Sequence, residues 1–164
     1  MYLLNTNNNM RRNDRELKDL STIESIISKA DVCRIALIDG DLPYIVALNF
    51  GYKPGDPSVI YFHCAKTGRK IDIIRKNNTA CFQMDVDHEL VLASKACGYG
   101  MNFKSIVGYG KIYEVEDKAG KIEGLQYIMK QYTGKNDFTY EDKMLEVTSI
   151  LRLEISEITA KQKV

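Results

Sequence analysis

Tryptophan is absent, histidine occurs only twice, and no two cysteines stand as a Cys-x-x-Cys pair among the 164 residues. Each shortage removes a class of function. Without paired ligand spacing, a metal centre drawn from His63, Cys64, Cys81, His88 and Cys97 has no framework. Cys33, Cys64, Cys81 and Cys97 read instead as buried thiols of a reducing compartment. With two imidazoles, a Ser-His-Asp arrangement has few possible bases, and no Gly-x-Ser-x-Gly is present. Gly98-x-Gly100 and Gly108-x-Gly110 fall short of Gly-x-Gly-x-x-Gly, and 65–70 lacks the spacing of a Walker loop, so any nucleotide must be held another way.

Charge of one sign is also missing. The net charge is +1 with the basic residues scattered among acidic ones, so no field gathers nucleic acid or an anionic membrane. No window approaches a membrane span. The N-terminus lacks the basic start and apolar stretch of a signal peptide, and a cytoplasmic location is expected. What remains is ordinary globular composition, 45% hydrophobic and 27% charged, in a length that suits one domain. Ten tyrosines and five phenylalanines supply packing and stacking rings.

Residues 1–13 are polar and Asn-rich and read as a loose arm. A helix is expected from Ser21, with Ser21 and Glu24 as a capping box and Ile23, Ile26, Ile27 and Ala30 as its apolar face. A hairpin follows: strand 32–38, a turn at Asp39-Gly40-Asp41, and strand 42–50, with Pro43 suited to the strand's start. Residues 51–57 read as a long turn rich in breakers. Strands are expected at 59–64, 79–84, 89–94, 105–115 and over the alternating 147–155. Helices are expected at 68–77 and 117–132, the latter with a stripe of Ala119, Ile122, Leu125, Ile128, Met129 and Tyr132. Short strands joined mostly by turns, with helices at the edges, predict a mainly β, antiparallel barrel.

One segment carries chemistry. In Tyr61-Phe62-His63-Cys64-Ala65-Lys66-Thr67-Gly68-Arg69-Lys70 an apolar strand ends, a turn follows, and a helix begins with a hydroxyl, a glycine and two cations. A helix N-terminus offers unpaired N–H groups and a positive dipole end. Thr67 adds an O–H donor, Arg69 a bidentate fork and Lys70 a compact charge, a set that fits a phosphate monoester. The competing reading has Thr67 cap the helix while Arg69 and Lys70 are solvated.

These residues sit in a wider pattern: Met10-Arg11-Arg12-Asn13-Asp14-Arg15-Glu16, then Leu42-Pro43-Tyr44-Ile45-Val46-Ala47-Leu48-Asn49-Phe50-Gly51-Tyr52, the 60–70 segment, and Phe103-Lys104-Ser105-Ile106-Val107-Gly108-Tyr109-Gly110. In order and spacing the chain resembles the FMN-binding split-barrel superfamily of the pyridoxamine 5'-phosphate oxidase type, in the branch of the 5-nitroimidazole-resistance reductases. The resemblance implies a six-stranded antiparallel Greek-key split β-barrel and a homodimer with FMN in a groove between subunits. It implies that the backbone of Tyr44, Ile45, Val46, Ala47 and Leu48 runs beside the flavin ring. Thr67, Gly68, Arg69 and Lys70 would hold the phosphate, with His63 and Cys64 near the ribityl chain or ring. Gln83 would donate to a flavin carbonyl and Ser105 to the phosphate or ring edge. Two departures stand out. Many relatives have Tyr where this chain has Phe103, and the C-terminal Trp and Arg/His clamp of true pyridoxamine phosphate oxidases are missing, so vitamin B6 oxidation is not expected.

The implied function is an FMN-dependent reductase that takes electrons from NADH or NADPH and passes them to a small acceptor such as a nitroaromatic or quinone. His63 is the candidate proton donor or substrate-positioning group. The alternative is a non-catalytic flavin- or haem-binding carrier or sensor, with His63 or His88 as axial ligand.

Overall fold

A computed structural model describes Leu3–Leu4 and residues 11–164. The short strand β1 (Leu3–Leu4) pairs in parallel with a later strand, and the rest of the expected N-terminal arm before Arg11 lies outside the described residues. A 3-10 turn at Asn13–Arg15 leads into β2 (Glu16–Leu17) and helix α1 (Leu20–Lys29). Its cap is Asp19 and not the expected Ser21. The Asp19 carboxylate accepts from the Thr22 N–H at 2.9 Å and from the hydroxyls of Ser21 and Thr22 at 2.6 and 2.8 Å. A charged acceptor draws both hydroxyls to itself, which leaves Ser21 a donor to the cap. Ile23, Ile26 and Ile27 are buried as the periodicity requires.

Strands β3 (Cys33–Asp39) and β4 (Leu42–Leu48) form the expected tight hairpin, with Asp39 paired to Leu42 across Gly40 and Asp41. The second strand then ends early. Asn49 breaks it, and β5 (Phe50–Lys53) begins a separate pairing with β6 (Val59–Ala65). Gly51 is therefore a strand residue and not part of a turn. A Cβ there would stand 2.3 Å from backbone atoms of Tyr127 and Ile128, so glycine serves the close approach of a helix.

Helix α2 (Arg69–Lys76) buries Ile71, Ile73 and Ile74. The two strands expected at 79–84 and 89–94 are one, β7 (Thr79–Val91), interrupted by a bulge between Val86 and Glu89. It pairs with β8 (Gly100–Val115), longer than expected because its first half continues the hairpin beyond the core. Helix α3 (Lys118–Thr133) is capped by Asp117. Its buried residues are Gly124 and Ile128, whereas Ala119 and Tyr132 of the expected stripe are exposed. Small residues let the helix lie close to the sheet, so the contact face turns toward the glycines. Helix α4 (Asp142–Val147) takes Val147 out of the expected final strand, and β9 (Thr148–Lys163) follows.

The sheet order is β4-β3-β7-β8-β9-β6-β5, with β1 and β2 also on β9. That makes nine strands among the described residues against the six expected. Apart from β1, every pairing is antiparallel. The two ends of the path, β4 and β5, are separated in the chain by Asn49 alone. The sheet must therefore curl round, yet no ladder joins its ends. It is a split barrel, not a closed one. Phe50, Phe62 and Phe82, all fully buried, fill its interior with isoleucines from α1, α2 and the strands.

Candidate functional site

Strand period sorts the residues into two faces. Cross-strand pairing aligns Ile45, Ala36, Cys81 and Tyr109 in one row, and Ala47, Arg34, Gln83 and Val107 in the next. Asp85, Ser105 and Lys161 form a third. These rows make the outer face of the sheet. Tyr44, Val46 and Leu48 turn the other way and pack against the core. Side chains of the 44–48 segment thus alternate between the two surfaces. What all five share is an edge: among the described residues β4 has β3 as its one neighbour strand, and its other row of N–H and C=O groups meets no strand.

The start of α2 packs beside β3 and reaches β4 through Arg69. Gly68 is the N-cap with φ 125°, a conformation that favours glycine, and no side chain caps the helix. Thr67 is therefore not the cap. The Gly68 carbonyl accepts from the N–H groups of Ile71 and Asp72, which leaves those of Arg69 and Lys70 as free donors of the first turn. Arg69 reaches back across the sheet. Its Nε donates to Asp39 at 2.8 Å, and its guanidinium lies 4.8 Å from the centre of the Tyr44 ring. Asp39 occupies Nε alone, so both terminal nitrogens stay open. Thr67 and Lys70 make no side-chain hydrogen bond or ion pair among the described residues. Thr67, Gly68, Arg69, Lys70 and the free edge of β4 are thus brought together, with Asp39 as an anchor that sequence reasoning missed. Its one signal was its place at the end of a strand two residues before the hairpin returns.

The other expected residues divide. His63 and Cys64 are neighbours on β6 and face opposite sides. His63 is exposed, while Cys64 packs against the core, where burial raises its thiol pKa and Lys70 acts against that rise. Gln83 lies on the outer face, where its amide donates to Asp85 at 2.7 Å. Ser105 is 7% exposed on the same face, and its hydroxyl has no partner among the described residues. All four cysteines are free, and Cys97 is exposed, not buried as expected. Among the described residues no group of His, Cys, Asp and Glu side chains is arranged to hold a metal, and no helix is long and apolar enough to cross a membrane.

A cavity of about 670 Å³ lies elsewhere. It lies between α3 and the outer side of β6, β8 and β9. Its charges are mostly satisfied internally: Lys53 bonds Glu123 at 2.6 Å, Arg152 bonds Glu154 at 2.9 Å, and Glu114 is held by Arg75 at 2.7 Å. Tyr61 donates to Glu123 at 2.6 Å, and burial pushes its phenol well above the ordinary range. Lys53 and Tyr61 thus tie Glu123 of α3 to the sheet, while Nε of Arg152 is buried without a hydrogen-bond partner among the described residues. The β4 edge is the better candidate.

A family model of pyridoxamine 5'-phosphate oxidase matches residues 19–162. Among solved structures, the chain is 32% identical to one from Bacteroides thetaiotaomicron, proposed to be a 5-nitroimidazole antibiotic resistance protein. That likeness covers 90% of this chain and 86% of the other, with TM-score 0.79. The flavocytochrome Anf3 of Azotobacter vinelandii is 20% identical, with TM-score 0.78 over 94% of this chain and 72% of that one. An FAD- and haem-binding protein of Mycobacterium smegmatis is 14% identical, with TM-score 0.80 over 91% and 73%. At such identities these two share the fold. No curated protein sequence matches.

Proposed function

The chain belongs to the pyridoxamine 5'-phosphate oxidase family, and on that premise we propose that it is an FMN-dependent oxidoreductase. Electrons would come from a reduced nicotinamide, NADH or NADPH, and pass to a small acceptor such as a nitroaromatic or quinone. One observation carries the reading. Arg69 spans from an uncapped helix N-terminus to Tyr44 on an open sheet edge, held by Asp39 with its terminal nitrogens free. A phosphate at one end and a planar heterocycle rich in hydrogen-bonding atoms at the other would satisfy both features.

In this reading Thr67, the N–H groups of Arg69 and Lys70, and both cationic side chains bind the phosphate. The backbone of 44–48 meets the polar edge of the ring, and Gln83 and Ser105 supply donors from the outer face. His63 positions the ligand beside the α2 turn, and Cys64 lines the floor behind it. The cofactor, when bound, supplies the two-electron chemistry. A second copy of the chain would close the site as a homodimer. The outer face exposes Ile38, Ile45, Met101 and Tyr109 at 50, 67, 44 and 47%, more apolar surface than a solitary sheet face usually presents to water.

The test is a double substitution. Arg69→Ala with Lys70→Ala is expected to weaken FMN binding by roughly 3 kcal/mol or more, since hydrogen bonds to charged groups are worth about 1.5–3 kcal/mol each. Riboflavin, which lacks the phosphate, should bind equally to both proteins. Unchanged FMN affinity in a fluorescence titration would reject the phosphate assignment.

A further inference from the structure

The outer face of β7 carries an interlocked polar group that stands out among apolar neighbours. Asp85 accepts from Arg34 Nη1 at 2.9 Å and from Gln83 Nε2 at 2.7 Å, and its other oxygen lies 2.8 Å from Nε2 of His88. Arg34 also donates to Gln83 at 3.4 Å. Two donors fix the carboxylate, and the carboxylate fixes the imidazole.

In a regular strand His88 would face away from Asp85, because residues three apart lie on opposite sides. The bulge reverses it. Val86 pairs with Lys104 but Glu89 with Asn102, so β7 holds one residue more than its partner, and Asp87 adopts φ 56°. That is a rare conformation for a side chain other than glycine. Lys104 at 2.9 Å and Lys29 at 3.3 Å hold the Asp87 carboxylate there. Bulges commonly re-aim a side chain beside a site. Here the result places an imidazole on the face of Gln83 and Ser105, with Nδ1 unpartnered among the described residues.

We propose that His88 donates the proton that completes reduction of the acceptor, with Asp85 as its positioning residue. The proposal rests on the FMN reading above. With the reduced cofactor bound, a quinone-class acceptor would gain a hydride (two electrons and one proton) from it. It gains a second proton from Nδ1 of the His88 imidazolium, which makes a hydroquinone. The ring's side chain is 48% exposed and recovers its proton from water. The charged groups around it are Asp85, Asp87 and Glu89 on β7, Arg34 on β3, Lys29 on α1 and Lys104 on β8. Of these, Asp85 alone contacts the ring among the described residues, and it fixes the ring's orientation.

The experiment uses the FMN-loaded protein with its flavin chemically reduced under anaerobic conditions. It is mixed with 1,4-benzoquinone at a series of pH values while flavin absorbance is followed. The wild-type rate should fall as pH rises through the imidazole range. His88→Gln should be about a hundredfold slower near neutrality and lack that fall, in keeping with typical general-acid contributions. Asp85→Asn should retain the fall but lower the rate about tenfold, because the ring is no longer held in place. Nitrogen NMR gives a second readout: the imidazole signal that disappears in His88→Gln should report an Nε2–H tautomer in wild type and lose that preference in Asp85→Asn. A flavin-loaded His88→Gln protein with wild-type rate and pH profile overturns the proposal and leaves the FMN reading standing. So does loss of the fall in His63→Gln instead. Failure of every protein to bind FMN overturns the FMN reading, and this proposal with it.

Discussion

The two ends of the sheet, β4 and β5, have the same chemistry and opposite fates. Each presents a row of peptide groups with no strand beside it among the described residues, and Asn49 alone separates them in sequence. At β5, α3 closes over the edge. Gly51 admits its backbone, the Phe50 N–H finds the Tyr132 hydroxyl at 3.1 Å, and Lys53 and Tyr61 fasten Glu123. At β4 no second strand pairs with the edge among the described residues, and Arg69 of the α2 N-terminus reaches Tyr44 near its start. Exposed edges invite unwanted pairing, and proteins usually blunt them. One end of the same sheet is thus covered by a helix and the other is left without a strand partner among the described residues.

Substitutions can break that contrast. The largest effect is expected at the covered edge, where Gly51→Val drives a side chain into the α3 backbone and should cost about 3 kcal/mol in urea unfolding. At the bare face, Ile45→Lys should leave monomer stability within ~0.5 kcal/mol. It should instead weaken self-association at least a hundredfold, read by sedimentation. A milder effect belongs to pH. Glu123 titrates below its ordinary range because Lys53, then Tyr61, hydrogen-bond its charged form. A depressed folded-state pKa stabilises above the unfolded value and is lost as pH falls through the folded one. Thermal melts should therefore show wild type losing stability below about pH 4.5, with a shallower loss in Glu123→Gln. The smallest change is expected for Asp39→Asn. An exposed ion pair is worth ~1 kcal/mol or less, so folding should hold while FMN affinity drops by less than about fivefold as Arg69 loses its tether.

What could be read in advance followed from local signals. The β3–β4 hairpin announces itself by alternation around Asp-Gly, and α2 by its isoleucines after a polar turn. The helix-start donors at 67–70 are contiguous, so one window of sequence reveals them. Asp39 and the Arg34–Gln83–Asp85–His88 group are assembled across strands and depend on register, which no window contains. Gly51 illustrates the same limit from the other side. In sequence it joins Gly55, Pro54 and Pro57 as a breaker, but its reason for being glycine is a helix backbone more than seventy positions later. The merging of two strands into β7 was hidden likewise, because a bulge shifts the alternation by one and imitates an interruption.

Strand β9 holds a consequence for synthesis of the chain. It pairs with β8 on one side and β6 on the other, and it also carries β1 and β2. Val59 of β6 waits for Glu154, and Leu17 of β2 waits for Ala160. As the polypeptide leaves the ribosome, β5 and β6 can pair with each other, but β6 stays without its second neighbour until β9 emerges. Contacts so distant in sequence form slowly, and unpaired strands are prone to aggregate while they wait. The sheet can curl only after β9 has been made, because β9 alone joins the β8 side of the described sheet to β6.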